Sequence, residues 1–349
     1  MVESSKKKVV ITGISGFLGS QVCLYFLNDG GFHVRGTVRD TTNEKKLAPL
    51  RKGFGDKYEQ LELFQADLLN PESLDAAIAG QDFVVHTASP FPITTPKKED
   101  DLIKPAVEGT LAVLRAAHKH KVKRVVVTSS CAAIFVQSAQ NHKDRFTEED
   151  WTDVTVAGAY EKSKTLAEKA AWDFVNALPQ DEKFELVCIN PFLIQGPSLI
   201  ASDFSSGQII KKIMTGEFPG MPKVMMPVVD VRDVAFAHLQ GIKVPEAAGQ
   251  RFALVAENLW FKNYAETLKE AYPQYKFKTG EIGFCPVKVV SWFDSSAKQI
   301  LPMWGRIINV DNTKSKTVLG VQYHDGRESI REMAKSMIQY GVIPDKKKK

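Results

Sequence analysis

A short apolar run near the N-terminus breaks into three regularly spaced glycines. The run is residues 9–11, and Gly13, Gly16 and Gly19 follow it. The run is apolar on both faces, as in a central strand of a parallel sheet, and a helical pattern continues after the last glycine. Glycines let the backbone approach a ligand closely, and a helix N-terminus favours an anion. The pattern predicts a turn that binds the pyrophosphate of a dinucleotide, although an ordinary tight turn from strand to helix also fits it.

A second pattern, further along the chain, favours the dinucleotide interpretation. Tyr160 and Lys164 are four residues apart and share one face of a helix predicted over residues 157–178. Upstream, residues 124–130 read as a buried strand that ends in hydroxyl side chains. A glycine turn, hydroxyls at a strand end and Tyr-x-x-x-Lys, in this order, are much more specific together than any one of them alone.

This ordered set resembles the extended short-chain dehydrogenase/reductases, and among them the dihydroflavonol-reductase-like branch of NADPH-dependent carbonyl reductases. The similarity runs from about residue 8 to at least residue 233, and the remaining third of the chain resembles the family only loosely. Besides the glycine turn, the matching motifs lie at residues 37–40, 67–68, 86–90, 128–130, 160–172, 190–191 and 196–197. The resemblance implies an NADP-dependent oxidoreductase.

Alternating strand and helix patterns predict an α/β protein with a Rossmann-type, doubly wound parallel sheet and a smaller C-terminal α/β substrate lobe. Strands are predicted near residues 8–12, 32–38, 60–65, 82–86, 122–128, 184–189 and 250–256. Helices are predicted near residues 98–119, 230–243, 260–272 and 325–340. The predicted NADP-binding domain spans residues 1–195, with residues 228–245 packing back on it. Residues 196–227 and 246–349 form the predicted substrate-binding lobe, in which residues 273–310 have no assignable pattern.

Composition limits the class of protein. The chain has 349 residues and a formal charge of +5, which comes largely from lysines at both ends, so nothing in it demands nucleic acid. No apolar stretch approaches the length of a membrane span, and the four cysteines and seven histidines show no metal-ligand spacing. We therefore expect a soluble cytoplasmic protein, a monomer or homodimer, with reduced buried thiols, no metal and a small-molecule carbonyl substrate.

The residue twenty positions after Gly19 bears on the choice of cofactor. An NAD enzyme places an acid there to bind the ribose 2′-hydroxyl, whereas this chain has Arg39. Guanidinium pairs well with phosphate oxygens, and Lys46 adds a second positive charge. The resemblance assigns both residues to the 2′-phosphate of NADPH. In the alternative interpretation, Arg39 is a solvated charge and Asp40 is the acidic selector.

The resemblance also implies the other NADP(H)-binding residues. Asp67 resembles the acceptor at the adenine edge, although an N-cap role in a short turn fits it nearly as well. The other implied cofactor contacts are Gly13, Gly16, Phe17, Leu18, Gly19, Leu68, Thr87, Ala88, Ser89, Tyr160, Lys164 and Pro191.

The catalytic roles follow from the same resemblance. Tyr160 is the expected proton donor to the carbonyl oxygen, and a nearby Lys164, with the nicotinamide cation in the reverse direction, is expected to lower its pKa. Lys164 is also expected to hold the nicotinamide ribose. Ser130 is the expected hydroxyl that orients the carbonyl, with Ser129 as the alternative.

An apolar substrate pocket is predicted around Phe91, Phe135 and Phe192, although each of these also suits a core. Residues that mark flavonoid reductases and cinnamoyl-CoA reductases are absent, so the substrate is expected to be an aldehyde or ketone on an apolar or aromatic scaffold. The alternatives are an NAD-dependent sugar-nucleotide epimerase/dehydratase and a non-catalytic cofactor-binding subunit of a larger assembly.

Overall fold

A parallel sheet of seven strands forms the centre of the protein. The structure is a computed structural model, and it describes residues 6–88, 98–138, 141, 143–201, 204–292 and 300–346. In these residues the strands are β1 (Lys7–Thr12), β2 (Phe32–Val38), β3 (Leu61–Gln65), β4 (Phe83–His86), β5 (Arg124–Thr128), β6 (Glu185–Pro191), β7 (Leu193–Gln195), β8 (Met221–Pro222), β9 (Val228–Asp230), β10 (Gln250–Leu254) and β11 (Glu281–Ile282). The order in the large sheet is β3-β2-β1-β4-β5-β6-β10, with every neighbouring pair parallel.

Helices cover both faces of this sheet. They are α1 (Phe17–Asp29), α2 (Glu44–Phe54), α3 (Pro71–Ile78), α4 (Asp100–Lys119), α5 (Ala159–Ala177), α6 (Ser205–Thr215), α7 (Val231–Lys243), α8 (Phe261–Ala271), α9 (Phe284–Val290), α10 (Thr313–Thr317) and α11 (Gly326–Gln339). The predicted doubly wound α/β fold is confirmed, and so are the seven predicted strands and the five helices predicted with residue ranges.

The first strand shows why its sequence is apolar throughout. Successive side chains of a strand point to opposite faces, and both faces here are covered. Val9 and Ile11 lie in the core formed with α1 and α7, whereas Val10 lies in the core formed with α3, α4 and α5. All three side chains have no exposed surface. Burial on both faces therefore fixes this strand at the centre of the sheet.

The direction in which the chain winds reverses between β1 and β4. From β1 the chain moves outward through β2 and β3, then returns to the other side of β1 as β4. In such sheets ligands bind beyond the carboxyl ends of the strands at this reversal. Thr12 and His86 end these two strands side by side, so this edge of the sheet is where a ligand is expected.

The C-terminal part of the chain forms smaller elements. Two short parallel pairs, β7 with β9 and β8 with β11, lie outside the large sheet, and α6, α8 and α11 pack on one another. Residues 273–310, unassigned from the sequence, contain β11, α9 and a short turn at Leu301–Met303. β10 pairs with β6 in the large sheet, although the predicted boundary assigns it to the substrate-binding lobe. The division into two lobes stays a prediction.

The cysteines differ in one respect from the prediction of buried thiols. Cys23, Cys131 and Cys188 are buried, and burial raises the pKa of each. Cys285 is exposed, because it lies on the short helix α9 in the segment that the sequence could not assign. In the described ranges, none of the helices is both long and apolar enough to cross a membrane.

Candidate active site

The glycine turn after β1 packs tightly against the end of β4. Gly13 has φ 74°, a left-handed conformation that favours glycine, and a Cβ there would lie 3.1 Å from that of Ala88. The Gly16 N–H donates to the Gly13 carbonyl at 3.0 Å, and α1 starts at the next residue. The turn therefore brings the N-terminus of α1 to the sheet edge where the chain reverses.

Gly19 lets the first turn of α1 pass directly over the Gly13 carbonyl. A Cβ at Gly19 would lie 2.3 Å from the Gly13 carbonyl oxygen and 2.8 Å from the Thr87 hydroxyl. We expect Gly19→Ala to destabilise the protein by about 1–3 kcal/mol and to weaken NADPH binding, because the turn must open to accept the methyl group. Thermal unfolding and NADPH fluorescence titration measure both effects.

Gly280→Ala is the matched control for this change, because a Cβ at that position meets no atom within 4 Å. It should leave stability and NADPH binding close to wild type. A Gly19→Ala protein that is as stable as wild type and binds NADPH equally well would contradict the proposed close packing.

An open cleft of about 270 Å³ lies beside the end of β2. It is lined by Ser15, Val38, Arg39, Asp40, Asn43 and Lys46. Arg39 and Lys46 are both exposed, and within the described residues neither side chain has a hydrogen bond or ion pair. Asp40 accepts hydrogen bonds from the backbone N–H and the hydroxyl of Thr42, at 2.8 and 2.7 Å. The two cations thus face the cleft with their charges unpaired, whereas the Asp40 carboxylate already closes a turn.

Asp67, the residue expected at the adenine, follows β3 of the large sheet. Its carboxylate accepts the N–H of Leu69 at 2.9 Å. Asn70, not Asp67, caps the following helix, because its side chain accepts the N–H of Ser73. The Asp67 carboxylate thus caps the short turn after β3, as the alternative interpretation predicts, whereas Asn70 caps the helix itself. The predicted contact of Asp67 with the adenine stays a prediction.

Two predicted contacts after β4 are held by the end of β1. The Thr87 hydroxyl donates to the Thr12 carbonyl at 2.6 Å, and the Ala88 N–H donates to the Thr12 hydroxyl at 3.2 Å. Ser89 and Phe91 lie outside the described residues.

Among the other predicted cofactor residues, Phe17 turns its side chain away from the turn. Its ring stacks on that of Phe204, with centroids 4.3 Å apart, and is almost fully buried. Phe17 lies at the start of α1 and can therefore offer a ligand its backbone N–H. The next residue, Leu18, is partly buried. Leu68 packs against Gly109 of α4, where a Cβ would come within 2.8 Å of it.

The hydroxyls that follow β5 point to different partners. The Ser130 hydroxyl hydrogen-bonds the phenol of Tyr160, and it lies 3.4 Å from the carbonyl oxygen of Pro191. The Ser129 hydroxyl donates to the carboxylate of Glu168 at 2.5 Å. Of the two candidates from the sequence, Ser130 is thus the one beside the phenol.

Tyr160 and Lys164 lie on the first two turns of α5, as their spacing predicts, and both are partly buried. Burial raises the pKa of Tyr160 to about 12, and the hydrogen bond from Ser130 offsets only part of this effect. Burial lowers the pKa of Lys164 to about 8. The expected lowering of the Tyr160 pKa is therefore not found in the protein alone, because desolvation of the phenolate outweighs the favourable contacts.

A neutral histidine completes the polar side of the site. His86 is buried at the end of β4, and its Nδ1 lies 2.9 Å from the Thr12 hydroxyl. Burial, together with a smaller effect of the charge of Lys164, lowers its pKa to about 4. A small cavity of about 20 Å³, enough for about one water molecule, lies among His86, Ala106, Ser129 and Lys164.

An apolar cluster includes Cys131, the residue that follows Ser130. Phe135 and Phe192 stack with ring centroids 5.0 Å apart, next to Met225. Trp260 and Met303 belong to the same cluster and are absent from the sequence prediction. Of the three phenylalanines predicted to line a pocket, the two that the structure describes therefore belong to a larger apolar cluster, to which the unassigned segment contributes Met303.

The described residues fit NADP(H). The glycine turn is a cradle that a Cβ would fill, and the cleft at Arg39 and Lys46 offers two cations to a phosphate. Ser130, Tyr160 and Lys164 lie at the carboxyl end of the same sheet, where the other end of the cofactor would be held.

Known proteins match this chain along most of its length. The model of the NAD dependent epimerase/dehydratase family matches residues 9–254. The ketoreductase azaE of Aspergillus niger is 34% identical over 96% of this chain and 99% of its own length. An anthocyanidin reductase of Vitis vinifera is 36% identical over 81% of this chain and 86% of its own.

Solved structures agree with these matches. The yeast methylglyoxal/isovaleraldehyde reductase Gre2, crystallised with NADPH, superposes with a TM-score of 0.78 at 28% identity. The alignment covers 96% of this chain and 99% of Gre2. Vestitone reductase from alfalfa superposes with a TM-score of 0.71 at 25% identity, covering 97% of this chain and 99% of that protein.

Proposed function

The chain belongs to the NAD dependent epimerase/dehydratase family, within its reductase branch, and on that premise we propose that it reduces an aldehyde or ketone to the alcohol with NADPH. The hydrogen bond between Ser130 and Tyr160, one helical turn from Lys164, carries this proposal. It joins a hydroxyl that can orient a carbonyl oxygen to a phenol that can protonate it.

The chain's own residues supply binding, orientation and a proton. When bound, the reduced nicotinamide supplies the hydride for the carbonyl carbon. Tyr160 has a pKa of about 12, so its phenol carries a proton at neutral pH and can donate it to the carbonyl oxygen as negative charge develops there. Ser130 holds that oxygen beside the phenol, and Lys164 binds the nicotinamide ribose and stabilises the developing charge.

Arg39 and Lys46 favour this reaction over that of an NAD-dependent sugar-nucleotide epimerase or dehydratase. Two unpaired cations at the end of β2 suit the 2′-phosphate of NADPH, which NAD lacks. The apolar cluster around Phe135 and Phe192 suits an apolar or aromatic scaffold better than a nucleotide-sugar. Cytoplasmic location, a monomeric or homodimeric state and a small-molecule carbonyl as the only partner stay predictions from the sequence.

A substrate screen tests the proposal. Purified protein is given NADPH or NADH with a panel of aldehydes, ketones and diketones, and cofactor oxidation is followed by absorbance. We expect NADPH oxidation with at least one carbonyl on an apolar or aromatic scaffold. In parallel, nucleotide-sugars are incubated with NAD and their products analysed. Turnover of a nucleotide-sugar alone would favour the epimerase/dehydratase alternative, and tight NADPH binding without any turnover would favour a non-catalytic subunit.

A further inference from the structure

The buried carboxylate of Glu168 on α5 accepts hydrogen bonds from several other elements. The side chain of Glu168 has no exposed surface. Its oxygens accept from the Ser129 hydroxyl at 2.5 Å, the Asn190 amide at 2.7 Å and Arg251 Nε at 2.6 Å, while Trp172 Nε1 lies 3.3 Å away. Buried carboxylates are costly unless they are paired in this way. Glu168 thus joins the loop after β5, the end of β6 and the edge strand β10.

The position of Glu168 on its helix ties this cluster to the candidate active site. Glu168 lies one turn after Lys164 and two turns after Tyr160, so the three share one face of α5. Its partner Ser129 directly precedes Ser130, which bonds the phenol. The carboxylate therefore links the loop that carries one reacting hydroxyl to the helix that carries the other.

The same carboxylate fixes the orientation of Asn190 at the end of β6. The Asn190 amide nitrogen donates to Glu168 and, at 3.2 Å, to the Ser130 carbonyl. Both partners are acceptors, so the nitrogen must face them, and the amide oxygen faces away without a partner in the described part of the chain. The next residue, Pro191, is a predicted cofactor contact, so the hydrogen bonds of Asn190 fix the backbone directly beside that contact.

We propose that Glu168 is a positioning residue for the carbonyl reduction proposed above. It fastens the loop after β5 and the end of β6 to α5, and so holds Ser130 against Tyr160. Arg251 is its counter-ion: Nε and Nη2 of Arg251 lie 2.6 and 3.3 Å from the carboxylate oxygens. Arg251 is held in turn by the carbonyl oxygens of Glu148 and Asp150 and lies over the ring of Trp151, 3.7 Å from its centroid.

The charge of Glu168 also acts on Lys164. In the described part of the chain, the titratable groups near Lys164 include His86 from β4 and, on its own helix, Tyr160 and Glu168. With pKa values of about 4 and 12, His86 and Tyr160 are neutral near pH 7. The negative charge of Glu168 raises the pKa of Lys164, against the lowering by burial. Removal of this charge should therefore shift the Lys164 titration to lower pH.

Glu168→Gln tests the proposal, with Glu185→Gln as its matched control. Glu185 pairs with Arg124 Nε at 2.6 Å at the opposite end of the same two strands, away from the site. In the protein without cofactor, peptide-resolved acetylation of Lys164 across pH gives the titration midpoint of its amine. We expect a midpoint at lower pH for Glu168→Gln and an unchanged midpoint for Glu185→Gln.

Turnover gives a second readout. With a substrate from the screen, Glu168→Gln should lower kcat by about tenfold to a hundredfold, the size expected for loss of a hydrogen-bonded charge, while the KM for NADPH changes less. Glu185→Gln should keep the wild-type kcat. A wild type that reduces no carbonyl would refute the proposed function, whereas the Lys164 midpoint would still test the effect of Glu168.

Ser129→Ala keeps the proposal testable if Glu168→Gln leaves Arg251 unpaired and fails to fold. This variant removes one hydrogen bond to Glu168 and retains the ion pair. It should lower kcat several-fold without loss of NADPH affinity, and Ser129→Thr, which keeps the hydroxyl, should restore it. An unshifted Lys164 midpoint in folded Glu168→Gln, or a Ser129→Ala enzyme with wild-type kcat, overturns the proposal.

Discussion

Replacement of Tyr160 by Phe should lower kcat by at least about a hundredfold and leave NADPH binding nearly intact. A positioned general acid contributes about a hundredfold to ten-thousandfold, and its loss affects the transition state more than the ground state. The phenylalanine ring retains the packing of Tyr160 on α5, so the change removes mainly the hydroxyl that bonds Ser130. Steady-state kinetics with NADPH and fluorescence titration of NADPH separate the two effects.

Tyr275→Phe is the matched control, because it removes a phenol hydroxyl from a buried tyrosine outside the candidate site. That hydroxyl donates to the Pro344 carbonyl at 2.7 Å, near the C-terminal end of the described chain. This variant should keep the wild-type kcat. A Tyr160→Phe enzyme that reduces carbonyl substrates like wild type would show that the proposed proton donor is wrong.

The pH dependence of reduction should separate Tyr160 from Lys164. Tyr160 has a raised pKa of about 12, so its phenol keeps its proton until the solution is strongly alkaline. Lys164 has a lowered pKa of about 8, so its positive charge is present below pH 8 and is lost above it. We therefore expect the rate of reduction to decline near pH 8, as Lys164 loses its positive charge. The same decline should be seen in the residual activity of Tyr160→Phe.

The fold could be predicted from sequence where local patterns determine structure. Residues 9–11 are apolar on both faces, and the structure buries them between two helical layers. The helix over Ala159–Ala177 follows from local periodicity in the same way. Membership of β10 in the large sheet could not be predicted, because it depends on pairing with β6, far away in sequence.

The candidate site shows the same limit. The spacing of Tyr160 and Lys164 predicts their shared helix face, but the pKa of the phenol depends on burial by distant elements. Glu168 has the same spacing from Lys164, yet on a helix rich in charged residues it reads as a solvated side chain. Its burial depends on Arg251, 83 residues later in the chain. Only tertiary packing distinguishes this fully buried carboxylate from the other charged side chains of α5, which are all at least partly exposed.

Arg39→Ala and Lys46→Ala should each reduce the preference for NADPH over NADH by about tenfold to a hundredfold. Hydrogen bonds to charged groups contribute about 1.5–3 kcal/mol, and only NADPH carries the 2′-phosphate that these cations are proposed to hold. Neither side chain has another partner within the described residues, so the loss should fall on the cofactor rather than on stability. Binding constants for both cofactors measure the change.

Lys45 provides the control, because it is an exposed neighbour of Lys46 that does not line the cleft. Lys45→Ala changes the net charge as much as Lys46→Ala, so a general electrostatic effect would appear in both variants. A specific phosphate contact predicts a large loss for Lys46→Ala, a small one for Lys45→Ala and little change in NADH affinity for either. Equal losses for NADPH and NADH, or a wild type that prefers NADH, would assign the cleft to another role and leave Asp40 as the selector.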